Sequence, residues 1–190
     1  ELNASTGRVT GQALTKGTFP VTLGTINEAG TYLKEIDFVV TNFDEWKYEL
    51  ELNVSGYSGS NSLYNFPLFL ELDSSINGFN YQQFADENGK DLRFLSGDKS
   101  TELPFEVINW NPNGTSAFWI LLPELHSSSS ILAVWGNSSI KELPDYCSNG
   151  EIWREYHAVW KMDQQENQII RDSASGYHGM LYNATDHLDI

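Results

Sequence analysis

Cysteine is nearly absent: Cys147 stands alone in 190 residues, so no internal disulfide braces the chain. It reads as a partly buried thiol, packed as a small apolar side chain. No apolar run approaches the roughly 18 residues that a membrane-crossing helix needs, and the longest, 117–123, has the length of a strand. No charged stretch followed by an apolar one opens the chain at Glu1, so any secretion signal is expected to have been removed already or never to have been part of this sequence. Basic residues are scarce as well, with 11 Lys and Arg against 26 Asp and Glu, a formal charge of -15. Such a field repels phosphate backbones and anionic lipid, which argues against nucleic acid as a partner and against membrane docking. Signatures of catalysis are also missing. His126, His157, His178 and His187 show no HExxH spacing, and the Ser-rich stretches hold no G-x-S-x-G elbow. The chain is expected to be non-catalytic.

What is present suits a folded β protein. Apolar residues make up 40% and aromatics 13%, enough for a core, and the acid is dispersed rather than gathered into a disordered tail. In WKYELELNV, Trp46, Tyr48, Leu50, Leu52 and Val54 alternate with polar residues, which predicts a half-buried strand. NFPLFLELD repeats the pattern with Phe66, Leu68, Leu70 and Leu72. Turn signals recur every eight to twelve residues, at Asn77-Gly78, Asn88-Gly89 and Gly97-Asp98. The fold class expected is all-β: an antiparallel sandwich of jelly-roll or immunoglobulin-like type over 43–140. Residues 1–42 read as a strand-rich N-terminal extension, because RVTGQALT, TFPVTLGTI and YLKEIDFVV are strand-like yet carry too little to form a core. Residues 141–155 read as a linker with one short helical turn near Glu151.

FADENGKDLRF, LPFEVINW, AFWILLPEL and ILAVWGN, spanning 84–137, carry a resemblance. The stretch from Trp46 to Gly136 resembles the small β domain of unknown function that precedes laminin-G-like or concanavalin-like jelly rolls in secreted bacterial and archaeal surface proteins. AVWKMD and DSASGYHG, within 156–190, are similar to the opening segment of such a jelly roll. The resemblance implies an extracellular or cell-surface address, and it implies that the opening strand lacks the partners that arrive later in a complete jelly roll. That strand then folds back, is donated to another subunit, or belongs to a longer protein.

Several residues are candidates for function. The terminal strands, around Val9, Val21, Leu23 and Ile26 at one end and Ala158, Trp160 and Met162 at the other, are expected to mediate assembly by strand donation. The partner would be the chain itself, in a homo-oligomer or surface filament, or another surface protein. Asp86, Asn88 and Asp91 place three oxygen donors around Gly89, a set that suits calcium, although the spacing is not that of an EF-hand; the other reading is a solvated Asx turn. Asp91 and Arg93 are expected to share a strand face and form an ion pair. Trp110, with Asn109 and Asn111 beside the loop NPNGTS, is the candidate sugar platform of a carbohydrate-binding module, the alternative function. Trp46, Trp119, Trp135 and Trp160 read as core instead. N-glycosylation sequons stand at Asn3, Asn53, Asn113, Asn137 and Asn183, against roughly two to three expected by chance in so Asn- and Ser-rich a chain.

Overall fold

The computed structural model describes residues 2–3, 8–9, 17–27, 30–40, 43–166 and 168–181. The chain divides into two compact units, Glu1–Glu45 and Trp46–Ile190, within a few residues of the boundary expected at 42. The segments 141–155 and 156–190 fall in the second unit with the sandwich.

The first unit is built from two antiparallel pairs. β1 (Leu2–Asn3) meets β2 (Arg8–Val9), and β3 (Gly17–Asn27) meets β4 (Gly30–Val40) in a long hairpin. The hairpin register runs from Gly17↔Val40 to Asn27↔Gly30 without a shift.

The second unit holds two stacked sheets. One has the order β6 (Leu63–Leu72), β10 (Ser116–Leu125), β9 (Phe105–Asn109); the other has the order β5 (Tyr48–Asn53), β11 (Ser130–Trp135), β7 (Arg93–Ser96), β8 (Glu102–Leu103). All pairs are antiparallel. Both sheets contribute to one core, in which Leu72, Phe105, Phe118 and Ile120 from the first meet Phe94, Ile131, Ala133 and Trp135 from the second. The expected inward faces hold for Leu50, Leu52 and Val54 and for Phe66, Leu68 and Leu70, which pack on this core; Tyr48, expected with the first set, is 37% exposed, and Trp46 precedes β5. The protein is therefore an all-β antiparallel sandwich.

β10 explains why the longest apolar run lacks alternation. Phe118, Ile120 and Leu122 enter the sandwich core, while Leu121, on the opposite face, joins a second small core with Ile152 and Trp153, against which Trp119 also packs. A strand covered on both sides has no wet face to make polar. Of the 3-10 turns Asp145–Cys147 and Glu151–Trp153, the latter, near the helical turn expected at Glu151, gives Ile152 and Trp153 to the second core, while Tyr146 and Cys147 of the former pack against the sandwich core. Trp119 and Trp153 meet edge-on, ring centres 5.4 Å apart.

The final stretch corrects the expectation of an unpartnered jelly-roll strand. β12 (Trp160–Glu166), β13 (Ile169–Asp172) and β14 (Gly179–Met180) form their own three-stranded antiparallel sheet, so β12 finds its ladder locally. Trp160 is also not core: it is 48% exposed, and its indole N–H donates to the Tyr177 carbonyl at 2.9 Å.

The sandwich edges at β6, β5 and β9 are guarded. Leu121 donates its amide to the Pro104 carbonyl (2.8 Å), on the β9 side of β10, so its register partner Pro67 lies in a non-hydrogen-bonded pair and turns outward along β6. A proline there removes the N–H that an added strand would use. Exposed Glu49 and Glu51 line β5, and the two 3-10 turns border β9.

Candidate functional site

Two regions named from sequence stand out, one at a loop end of the sandwich and one on the N-terminal hairpin. At the loop end, the calcium and sugar candidates, some twenty residues apart in the chain, come together. Gly89 sits in the left-handed region (φ 71°) and lies against the six-membered ring of Trp110, where an added Cβ would fall 2.5 Å from the ring. The indole N–H of Trp110 donates to the Glu87 carbonyl at 2.8 Å. Tyr81, Phe84 and Phe118 meet the indole edge-on, with ring centres 5.0–6.4 Å away. Trp110 is thus half-buried and fixed, with one flank on a depression of about 550 Å³ lined also by Tyr81, Gln82, Glu87, Asn88, Pro112 and Asn113.

Asn109 and Asn111 shape this loop rather than the depression. Asn109 donates its side-chain amide to the Thr115 carbonyl (2.9 Å), and the Asn111 side-chain oxygen accepts the amide of Asn113 (3.2 Å). The amide of Asn111 in turn donates to Ser116 Oγ at 2.9 Å.

The three oxygen donors around Gly89 do not converge. Asp86 closes a local Asx turn through its side-chain oxygen and the Asn88 amide (2.9 Å), and Asn88 faces solvent. Asp91 points the other way. It is fully buried, and its carboxylate accepts the amides of Ala85 (3.0 Å), Asp86 (3.2 Å) and Gly136 (2.7 Å). These bonds remove Asp91 from the calcium set drawn from sequence and make it the clasp between the 84–91 loop and the end of β11. The solvated-turn reading fails for Asp91 for the same reason.

Asp91 and Arg93 also do not pair. Arg93 is buried and directs its guanidinium to the carbonyls of Lys90 (2.8 Å), Leu92 (2.6 Å) and Glu142 (3.2 Å), with the Glu102 carboxylate at 3.5 Å. Asp91 lies outside β7, so the period-two argument for a shared face does not apply to it.

Below the second core lies a cluster that the sequence did not single out. Glu106 accepts the Trp153 indole N–H at 2.9 Å through one oxygen and meets the Lys161 ammonium through the other; that ammonium also lies 5.7 Å from the Trp153 ring centre. Nearby, Tyr146 donates to Glu102, and burial, then Glu102, pushes its phenol well above the ordinary range. Cys147 packs against the core as expected, and burial pushes its thiol up to about 12. Among the described residues, no group of three or more His, Cys, Asp or Glu side chains is placed to hold a metal.

On the hairpin, Val21 and Leu23 are 38% and 50% exposed, with Phe19 (42%) on the same face. Register sets Ile36 opposite Val21 and Lys34 opposite Leu23. Tyr32, Leu33 and Ile36 on β4 are exposed too; the sequence reading missed them, although the Val, Ile and Phe pattern of YLKEIDFVV and the Gly30 turn were there to find them. Val9 lies in β2 and Ile26 in β3, but their side chains are outside the described residues. Of the C-terminal trio, Ala158 is half-buried ahead of β12, while Trp160 and Met162 (69%) are exposed.

The sequons also separate. Asn53 is exposed on β5 and Asn113 in the β9–β10 loop. Asn137 is only 4% exposed, with its side-chain oxygen held by Ser139 and its side-chain nitrogen sealed without a partner among the described residues. This corrects Asn137 as an attachment site, since a buried nitrogen offers no room for a sugar. Asn3 lies in β1 with its side chain outside the described residues, as is the whole of Asn183. Compared with family models, with curated proteins and with solved structures, the chain matches none.

Proposed function

We propose that this chain is a non-catalytic structural module of a secreted or cell-surface protein, and that it associates with copies of itself through its N-terminal hairpin. One observation carries the reading: a two-stranded hairpin of eleven residues per strand, within the compact first unit, exposes Phe19, Val21, Leu23, Tyr32, Leu33 and Ile36. An isolated two-stranded hairpin is marginally stable in water, and both its edges offer unpaired backbone groups. A second copy that adds strands to those edges, or covers the apolar face, relieves both deficits. The guarded edges of the sandwich support the assignment by contrast. The acidic surface and the resemblance of Trp46 to Gly136 to a surface-protein β domain support the exterior address.

The experiment is sedimentation analysis of the whole chain beside a chain lacking residues 1–42. Oligomers or fibres from the first and monomers from the second, with the β-sheet spectrum of the sandwich kept, are the expected result. Equal masses for the two sink the reading.

The depression at Trp110 favours a second reading, a carbohydrate-binding module. An indole fixed at the edge of a recess, with Gln82, Glu87 and Asn88 to meet hydroxyls, is the arrangement that stacks on a sugar ring. This reading expects a monomer whose weak sugar affinity is lost in Trp110→Ala.

A further inference from the structure

We infer that Asn113 is the attachment site of an N-linked glycan whose innermost sugars lie in the depression against Trp110. The inference goes beyond self-association and rests on the exterior address proposed above for its native setting.

Asn113 is the third residue of a turn closed by the Gly114 amide on the Asn111 carbonyl (3.1 Å). Its own amide is taken by the Asn111 side chain, and the Asn109 side chain ties down Thr115. The backbone of the sequon is therefore locked by its neighbours. The Asn113 side chain is left at the exposed tip, where no hydrogen bond engages it among the described residues. Loop tips of this kind are where a modifying enzyme reaches the chain. Asn53, the other exposed sequon, lies flat in a sheet: its backbone pairs with Ser130, and the next amide, Val54, donates to the Ser129 carbonyl at 2.9 Å.

The surroundings of Asn113 point to the sugar itself. It lines two depressions that share Pro112 and Asn113: the one of about 550 Å³ bordered by Trp110, and one of about 370 Å³ bordered by Asp73, Ser74, Ser75 and Thr115. One recess offers an aromatic flank with amide and carboxylate groups, the other hydroxyls and a carboxylate. A half-buried indole stacks only weakly on a free sugar. A tethered sugar is different, because attachment a few bonds away sets an effective concentration in the millimolar range or above, enough to fill a weak site.

The chemistry is a simple substitution. A transferase brings a lipid-phosphate-linked oligosaccharide to the sequon; the side-chain nitrogen of Asn113 forms a bond to the anomeric carbon. The bond from that carbon to the phosphate oxygen breaks. The lipid phosphate leaves with the electron pair, and the proton of the amide passes to the transferase, with no change of oxidation state.

The test is expression of the whole chain through the secretory pathway of a yeast, followed by glycopeptide mapping and by melting before and after enzymatic removal of the glycan. Asn113 is expected to be occupied in most molecules and Asn137 in none. Removal is expected to lower Tm by about 3 °C. Asn53→Gln keeps that fall, and Asn113→Gln loses it. A bare Asn113 overturns the attachment site, and an occupied Asn113 with unchanged Tm in Asn53→Gln overturns the seat against Trp110. Because the yeast transferase acts in its own pathway, failure here is separate from failure of the self-association or of the native address.

Discussion

Glu106 ties Lys161 to Trp153: one carboxylate oxygen takes the indole N–H at 2.9 Å, the other takes the ammonium. Because Glu106 belongs to β9 and Lys161 to β12, this is the polar joint between the sandwich and the C-terminal sheet. The Lys161 and Glu106 side chains are only 14% and 25% exposed, so loss of one partner strands the other in poorly solvated surroundings. Glu106→Ala is expected to cost about 3 kcal/mol in denaturant unfolding. A double change to Glu106→Leu with Lys161→Met is expected to recover most of it, which a simple volume defect would not allow.

On the hairpin, a single charge suffices as a probe. Leu23→Glu places a carboxylate in the exposed apolar row between Val21 and the strand end while keeping the strand intact. Self-association in light scattering is expected to disappear, and unfolding of the sandwich is expected to move by less than about 0.5 kcal/mol, as for an exposed substitution. Persistence of oligomers in this variant would mean that another surface carries them.

Asp91→Ala leaves three buried amides without an acceptor. At about 1–3 kcal/mol for each stranded donor, the loss is expected to exceed 3 kcal/mol. Asp91→Asn, which retains one acceptor oxygen, is expected to fall between the two. Addition of calcium is expected to restore neither variant, since the clasp holds amides and not a cation; a rise in Tm with calcium would return Asp91 to the donor set.

Proton linkage acts at both ends of the pH scale. Burial, with the Glu102 and Glu106 carboxylates adding to it against the pull of Arg93, lifts the Cys147 thiol from 9.0 to about 12. A folded value above the unfolded one means stability that is whole below pH 9 and lost as pH rises towards 12. Alkaline melting is expected to begin near pH 9 and to be shallower in Cys147→Ala, and thiol reagents are expected to label the folded chain slowly at pH 7. Asp172 runs the opposite way. Burial opposes its ionisation, but the amides of Val159, Ala174, Ser175 and Tyr177 outweigh it and hold the carboxyl far below its ordinary 3.8. Its contribution is present above pH 4 and is lost as pH falls below that range, so Asp172→Asn is expected to remove part of the acid limb of the stability profile.

What could be read in advance follows from where water touches the chain. β5 was legible because one face is wet and its Glu residues mark it, and β6 because Phe66 to Leu72 repeat with period two. β10 gave only an apolar run, since both faces are covered, and no pattern told which core each side chain joins. Trp160 misled because an aromatic in a strand is ordinarily buried, while here the C-terminal sheet leaves that face open. Asp91 was misjudged for another reason. Its partners are backbone amides at 85, 86 and 136, and backbone donors carry no signature in the amino-acid pattern. Trp110 was picked out correctly as a loop-border ring, but its seat on Gly89 is a long-range contact that only folding creates.

The placement of β10 bears on how the second unit comes apart. Phe118 and Trp119 are neighbours in the chain yet lie in contact with different cores, so neither core can dissolve without pulling on the strand that walls the other. The sandwich and the 3-10 turn Glu151–Trp153 are thus expected to share a single transition, one cooperative body within the second unit.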